Sequence, residues 1–344
     1  MTAKTSYYAN RLRLELALRN RKYARGRAHV ESYGSAPVIV YAPEGERHGN
    51  FFDPAYAAIT ARADWMRRFH KVHAQAARSL PKAERRWREL DSCTSSDALL
   101  MNIFCAPGVL SSTALCRALG LEDHAEPVFG WKARVPFLSG RFDRTEVDLR
   151  MGSLLIEAKL TEGDFQTCQM KMAEQYRDLD DVFNRLLLPK IELPPKRRTE
   201  PQEFPENYSQ EYESFVIDPA LDPRELIPKI AARIESSSPS AEDMHAAGET
   251  GYASYQLIRN VLAACAEQCS FCVIHDERRP DLREQWFEIM AAVKNAELRT
   301  RLKVLTWQEL AAFLPEALQE FLDCKYGIVA PGRTASAVDE SRPE

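Results

Sequence analysis

The sequence predicts an α/β (α+β) chain: a mixed central sheet flanked by helices, with N-terminal helices before it and a proline-rich insertion within it. Three observations predict this. Residues 126–160 give three consecutive strand-like segments. The C-terminal part alternates helix and strand. The chain has 344 residues, 45% of them apolar, enough for a large core. Consecutive strands favour antiparallel pairing and strand–helix alternation favours parallel pairing, so one sheet holding both is mixed.

The elements follow in chain order. Residues from Asp53 or Pro54 to about Arg78 read as one helix, with Pro54 in its first turn and Trp65, Phe69 and Val72 at helical spacing. A second basic piece starts near Pro81. SSDALLMNIFCAP is a short apolar helix, capped by Ser95 or Ser96 and stopped before Pro107. Residues 126–138 alternate as a strand, and a hairpin, TEVDLRMGSLLIEAKLTE, follows. A long helix is predicted from about Asp164 to Leu188. Residues 189–224 are proline-rich and charged, 236–251 are loop-like, and Arg224–Glu235 between them is a short helix. Then come a helix (YASYQLIRNVLAACAEQ), a buried strand (SFCVIHDE), a helix (DLREQWFEIMAAVKN) and a strand (LKVLTW). A last helix, QELAAFLPEALQEFLDCKYG, has Thr306 and Glu309 at capping-box spacing. The tail after Val329 has the composition of a disordered segment. The domain reading is 1–90 basic and helical, 91–188 with 250–328 the core, 189–249 the insertion and 329–344 the tail.

Net charge is −4, unevenly spread: residues 1–90 carry 18 Lys+Arg against 8 Asp+Glu, and the rest 28 against 42. A basic segment on an acidic body suggests a polyanion contact, through Arg62, Arg67, Arg68 and Lys71 among others; the competing reading is a solvated helical face. No run approaches the roughly 18 apolar residues of a membrane span. The N-terminus lacks an apolar signal region. Eight cysteines do not make a disulfide scaffold, and a reducing cytoplasm is the expected setting.

The hairpin carries the chemistry. Gly152-Ser153 suits a two-residue II′ turn, which makes paired residue numbers sum to 305. Val147, Leu149, Met151, Leu154, Ile156 and Ala158 then share one apolar face. Glu146, Asp148, Arg150, Leu155, Glu157 and Lys159 share the other. Asp148 and Glu157 become direct neighbours, with Lys159 one step along. Two carboxylates this close repel unless a cation lies between them. Mg²⁺ (or Mn²⁺) suits such a pair, with the Ala158 carbonyl as a further ligand. A bound Mg²⁺ polarises phosphate and lowers the pKa of water. Lys159 can orient or deprotonate that water, or stabilise charge on phosphorus. The structural alternative is a solvent-facing hairpin in which Lys159 pairs with Glu146 or Glu157.

Asp148, eight residues, then Glu157-Ala158-Lys159 resembles the PD-(D/E)XK nuclease superfamily, the restriction-endonuclease-like fold. The family's order of helix, three antiparallel strands, helix and strand matches the order read here. SSDALLMNIF, IEAKLTEGDF and YQLIRN are similar to a group of bacterial restriction-endonuclease-like proteins, over roughly residues 60–325. The resemblance implies Asp148 and Glu157 as metal ligands and Lys159 as the catalytic lysine. It departs at Val147, where a proline is usual, and on the first core helix, where Asp97 or Asn102 stands in place of a glutamate. Glu162 and Gln256 take auxiliary positions; a helix first-turn charge and a packing contact are their plainer readings.

Cys265, Cys269, Cys272 and His275 lie close in sequence but on a helix end and an apolar strand, so they read as packing residues. Cys93, Cys105, Cys116 and Cys168 read likewise. HDERRPD reads as a solvated turn, against a phosphate contact by Arg278 or Arg279. No phosphate-cradling GxxxxGK[ST] loop is present. The resemblance therefore implies a metal-dependent endonuclease acting on nucleic acid, DNA before RNA, with a restriction or defence role by analogy. A homodimer is what double-strand cutting by this fold implies. The competing readings are a repair or RNA-processing nuclease of the same fold and a non-catalytic scaffold that retains it.

Overall fold

The computed structural model describes residues 2–31, 38–71, 88–121, 125–193 and 249–333. Its centre is a five-stranded sheet: β1 Pro127–Lys132, β2 Glu146–Met151, β3 Leu154–Ala158, β4 Ser270–His275 and β5 Leu302–Thr306. The spatial order is β5-β4-β3-β2-β1. β1, β2 and β3 pair antiparallel, while β3–β4 and β4–β5 pair parallel. The sheet is mixed because β1 reaches β2 through a small hairpin and β2 reaches β3 through a two-residue turn, whereas helices lie between β3 and β4 and between β4 and β5.

The hairpin has the predicted register, with Leu149 opposite Ile156, Arg150 opposite Leu155 and Met151 opposite Leu154. Gly152 takes φ +54° at the turn, the first-position conformation that a II′ turn requires and glycine supplies.

Helices α1 Thr2–Tyr23, α2 Asp53–Thr60, α3 Ala63–Phe69, α4 Ser96–Phe104, α5 Tyr255–Ala266, α6 Pro280–Ala292, α7 Trp307–Ala311 and α8 Glu316–Tyr326 surround the sheet. Leu99, Ile103 and Phe104 of α4, with Trp307 and Leu310 of α7, pack on Leu149, Met151, Leu154, Ile156 and Ala158. On the opposite face Leu257, Ile258 and Val261 of α5 and Trp286 of α6 pack with Leu155, Phe271 and Val273. Covered on both faces, β3 is buried at every residue. The hairpin is thus not half-exposed, as the alternation alone suggested. Val147 also departs from the expected face: it packs with Leu155, opposite Leu149 and Met151. The change comes where Gly130 (φ +64°) lies between the pairs Phe129–Leu149 and Trp131–Val147.

Other expectations need correction. The single helix from residue 53 is two, α2 and α3, because Arg62 is extended (φ −123°, ψ 120°). No proline or glycine forces this break. Tertiary contacts do: Trp65 Nε1 donates to Pro127 O (3.2 Å), which turns α3 toward the sheet edge. The helix predicted over 164–188 is instead a short strand, Thr167–Gln169, and the single turns Met170–Ala173 and Leu179–Val182. There Arg177 N–H donates to Pro136 O, Leu138 N–H to Gln175 O, and Tyr176 stacks on Phe137. Pairing with the hairpin of Val135–Pro136 and Phe142–Asp143 wins over helical propensity. The last helix divides into α7 and α8 at Pro315, whose ring disfavours a helical Leu314. The capping box of Thr306 and Glu309 is formed.

The chain divides into one compact unit of Met1–Pro189 with Tyr252–Glu344 and a second of Lys190–Gly251. Within the second, the described residues 190–193 and 249–251 are extended. The helix expected over Arg224–Glu235, the end of the first basic stretch and the tail beyond residue 333 lie outside the described residues. Among the described residues no helix is long and apolar enough to cross a membrane.

Candidate active site

The β2–β3 ladder ends at Leu149–Ile156, and beyond it the two strands separate. Asp148 stands in the opening. Its Oδ2 accepts the Ala158 N–H at 2.9 Å, replacing the ladder bond that the strands no longer make. Lys159 is fixed by its own backbone: its N–H donates to Ile274 O (2.8 Å) and its carbonyl accepts from Trp307 Nε1 (2.9 Å). Its ammonium reaches back two residues to Glu157 Oε1 at 2.8 Å.

Glu157 is wholly buried, so its carboxylate depends on protein donors. Besides Lys159 it receives Gln256 Nε2 on Oε1 (2.5 Å) and Asn260 Nδ2 on Oε2 (2.8 Å). Gln256 and Asn260 are four residues apart and share one face of α5. Sequence reading found Gln256 and missed Asn260. The signal was there: a second amide one turn on, in a helix whose other residues are apolar apart from Tyr255 and Arg259.

Asp97, in the first turn of α4, is also buried, and Ser95 caps that helix through Ala98 N–H (3.1 Å). Arg68 of α3 reaches Asp97 at 2.7 Å, Glu146 at 2.6 Å and Asp148 at 3.8 Å. Lys71 adds contacts to Glu146 (3.1 Å), Glu89 (3.5 Å) and Asp97 (3.6 Å). Of the four cations expected on the surface, Arg68 is therefore buried and Lys71 is drawn into the acidic cluster. Arg62 pairs with Asp64 and Glu126 and lies over the Trp65 ring, 4.1 Å from its centroid. Arg67 is exposed.

Glu162 accepts Leu160 N–H (2.6 Å) and Ser96 Oγ–H (2.5 Å), joining the loop after β3 to the start of α4. It is not a helix first-turn charge, because no helix starts there. Arg279 is fully buried and donates to the carbonyls of Leu160, Glu162 and Gly163, so it positions this loop. Arg278 is held by Asp276 and by Glu15 of α1. HDERRPD is thus neither a solvated turn nor a free phosphate contact. Asn102 bonds the Phe52 N–H and the Asn50 and Ala98 carbonyls, away from the acids.

Burial raises the Asp148 carboxyl well above its ordinary range, and Glu157 and Asp97 raise it further against Lys159 and Arg68. Burial would lower the Lys159 ammonium, but Glu157, Glu162 and Asp148 outweigh it and hold the charge on. The carboxylates Asp97, Glu146, Asp148 and Glu157 outnumber Arg68, Lys71 and Lys159, and Asp148 is where the excess shows. Among the described residues no group of three or more His, Cys, Asp or Glu is placed to hold a metal ion, so a divalent cation here would have Asp148 and Glu157 as its carboxylate donors. Asp148 Oδ1 has no cation within 3.5 Å, and Glu157 carries two donors on Oε1 but a single one, Asn260, on Oε2.

Among protein families, one described as "Restriction Endonuclease associating with ARP" matches residues 17–327. No curated protein matches, and no solved structure matches.

Proposed function

This chain belongs to the family of restriction endonucleases associating with ARP, and from that premise we propose that it is a divalent-metal-dependent nuclease hydrolysing phosphodiester bonds, of DNA before RNA. The observation that carries the reading is the convergence at the end of β3. Asp148 and Glu157 lie together, and Lys159 donates to Glu157 at 2.8 Å. Nothing in folding alone calls for that set, with Glu157 and Lys159 buried and Asp148 partly open to solvent beside them.

Asp148 and Glu157, with the Ala158 carbonyl, would hold Mg²⁺ or Mn²⁺. Such an ion supplies a polarised phosphate and a water of lowered pKa. Gln256 and Asn260 orient Glu157 through their amide N–H groups. Lys159, held charged by Glu157, Glu162 and Asp148, is placed to stabilise the charge developing on the phosphorus oxygens. Glu162 and Arg279 hold the loop that sets its position. Arg67 on the outer face of α3 is suited to a backbone phosphate, which gives affinity without sequence information.

The test is nicking of supercoiled plasmid with Mg²⁺ or Mn²⁺ by the wild type, Asp148→Ala and Lys159→Ala, with circular dichroism to check folding. Metal-dependent nicking lost in both variants supports the reading. Nicking that survives both in folded protein would remove the hairpin from the chemistry.

A further inference from the structure

Arg68 has a place built for it. α3 is fastened to the sheet edge by Trp65, whose Nε1 bonds Pro127 O and whose ring meets Phe129 edge-on, 6.2 Å between centroids. Phe69, next in sequence, is packed among the rings of His48, Phe51 and Tyr56. The guanidinium between them is therefore aimed by a rigid element. It rests on Gly130, where a Cβ would meet Arg68 Nη1 at 2.7 Å. Gly130 is the β1 residue across from Asp148, so the sheet is hollowed beneath the arginine.

The groups around it are acids from two elements, Asp97 of α4 and Glu146 and Asp148 of β2. Nη2 lies 2.7 Å from Asp97 and 3.8 Å from Asp148 Oδ1, and Nη1 lies 2.6 Å from Glu146. Two-metal phosphodiesterases place a second cation, roughly 3.5–4 Å from the first, among such carboxylates. Here the ground between Asp97 and Asp148 is taken by a side chain that is charged at every working pH.

We infer that Arg68 takes the place of a second divalent cation. The site then holds one metal ion, at Asp148 and Glu157, and one guanidinium, at Asp97, Glu146 and Asp148. This rests on the metal-dependent reading above. Arg68 is a positioning residue in this scheme: it fixes Asp97 and Glu146 and limits the site to one ion.

The experiment is calorimetric titration of the full chain with Mn²⁺, checked by the paramagnetic resonance signal of free Mn²⁺. The variants are Arg68→Met and the double variant R68M/E146Q, which removes one acid with the arginine so that the fold keeps its charge balance. Wild type should bind one Mn²⁺ per chain, and whichever variant folds should bind two. A further gain of Mn²⁺-dependent melting temperature over wild type should accompany the second ion. Two ions bound by wild type, or one ion by a folded variant, would overturn the inference and leave the nuclease reading standing. No Mn²⁺ bound by wild type would overturn both.

Discussion

Lys159 Nζ and Glu157 Oε1 are 2.8 Å apart, with side chains 8% and 0% exposed. The pair sits on one strand face and each member neutralises the other where water cannot. Breaking a buried pair by removing one partner costs about 3–5 kcal/mol, whereas removing both charges costs far less. Lys159→Ala should therefore both abolish cleavage and lower the melting temperature. The double variant E157Q/K159M should recover most of the stability and none of the activity. A stable, fully active Lys159→Ala protein would contradict this.

Asn260 bonds Glu157 Oε2, the oxygen facing away from Lys159 and Gln256. Partners that orient a metal-binding side chain are typically worth about 10–100-fold in metal affinity. Asn260→Ala should weaken Mn²⁺ binding by about that factor. Its stability cost should be about 1–3 kcal/mol, since a buried acceptor is left with a bond unmade. Asn260→Asp, which sets a second carboxylate against Glu157, should be the more damaging change. Calorimetry and urea unfolding together separate the two effects. Unchanged Mn²⁺ affinity in Asn260→Ala would show that Glu157 keeps its place without the amide.

Gly130 combines φ +64° with a guanidinium where its Cβ would go. Gly130→Ala therefore meets backbone strain and overpacking at once, about 2–4 kcal/mol together. The variant should unfold at lower urea. Truncating the arginine as well, in G130A/R68M, should remove the overpacking part. Equal urea midpoints for wild type and Gly130→Ala would show that Arg68 yields without cost.

The hairpin was legible because its information is local: a glycine at the turn and a period of two on each side. Arg150 and Leu155 therefore fell opposite each other as expected. The closeness of Asp148 and Glu157 was legible too, though not its form. Asp148 lies past the last paired residues and bonds a backbone N–H. Arg68 was read as a surface cation because nothing near it in sequence marks burial. Its partners Asp97, Glu146 and Asp148 are brought to it by the fold. The same reasoning explains the helix expected over 164–188. That composition tolerates a helix, but the segment is fixed by bonds to residues 136–143, which no local pattern encodes.

Lys325, far from these acids, is wholly buried. Its Nζ lies 3.2 Å from Asn20 Oδ1 and 4.3, 5.0 and 6.0 Å from the ring centroids of Tyr326, Tyr41 and Tyr23. Burial, with Arg27 adding repulsion, lowers its pKa from 10.5 to about 7. In the unfolded chain the lysine keeps its ordinary value, so between pH 7 and 10.5 the unfolded state binds the extra proton. Stability from this group therefore rises with pH across that window, by at most about 1.4 kcal/mol per unit, and the whole penalty is present below pH 7. Burial raises the neighbouring Cys93 thiol and Tyr41 hydroxyl, which act in the opposite sense as pH climbs toward their ordinary ranges. The clean comparison is thus from pH 6 to 8.5. Lys325→Met, which keeps the length of the chain without the charge, should be more stable than wild type at pH 6. The advantage should shrink as pH rises to 8.5 in paired urea titrations. Parallel curves across that range would mean that Asn20 and the three rings already hold the charged form as well as water does.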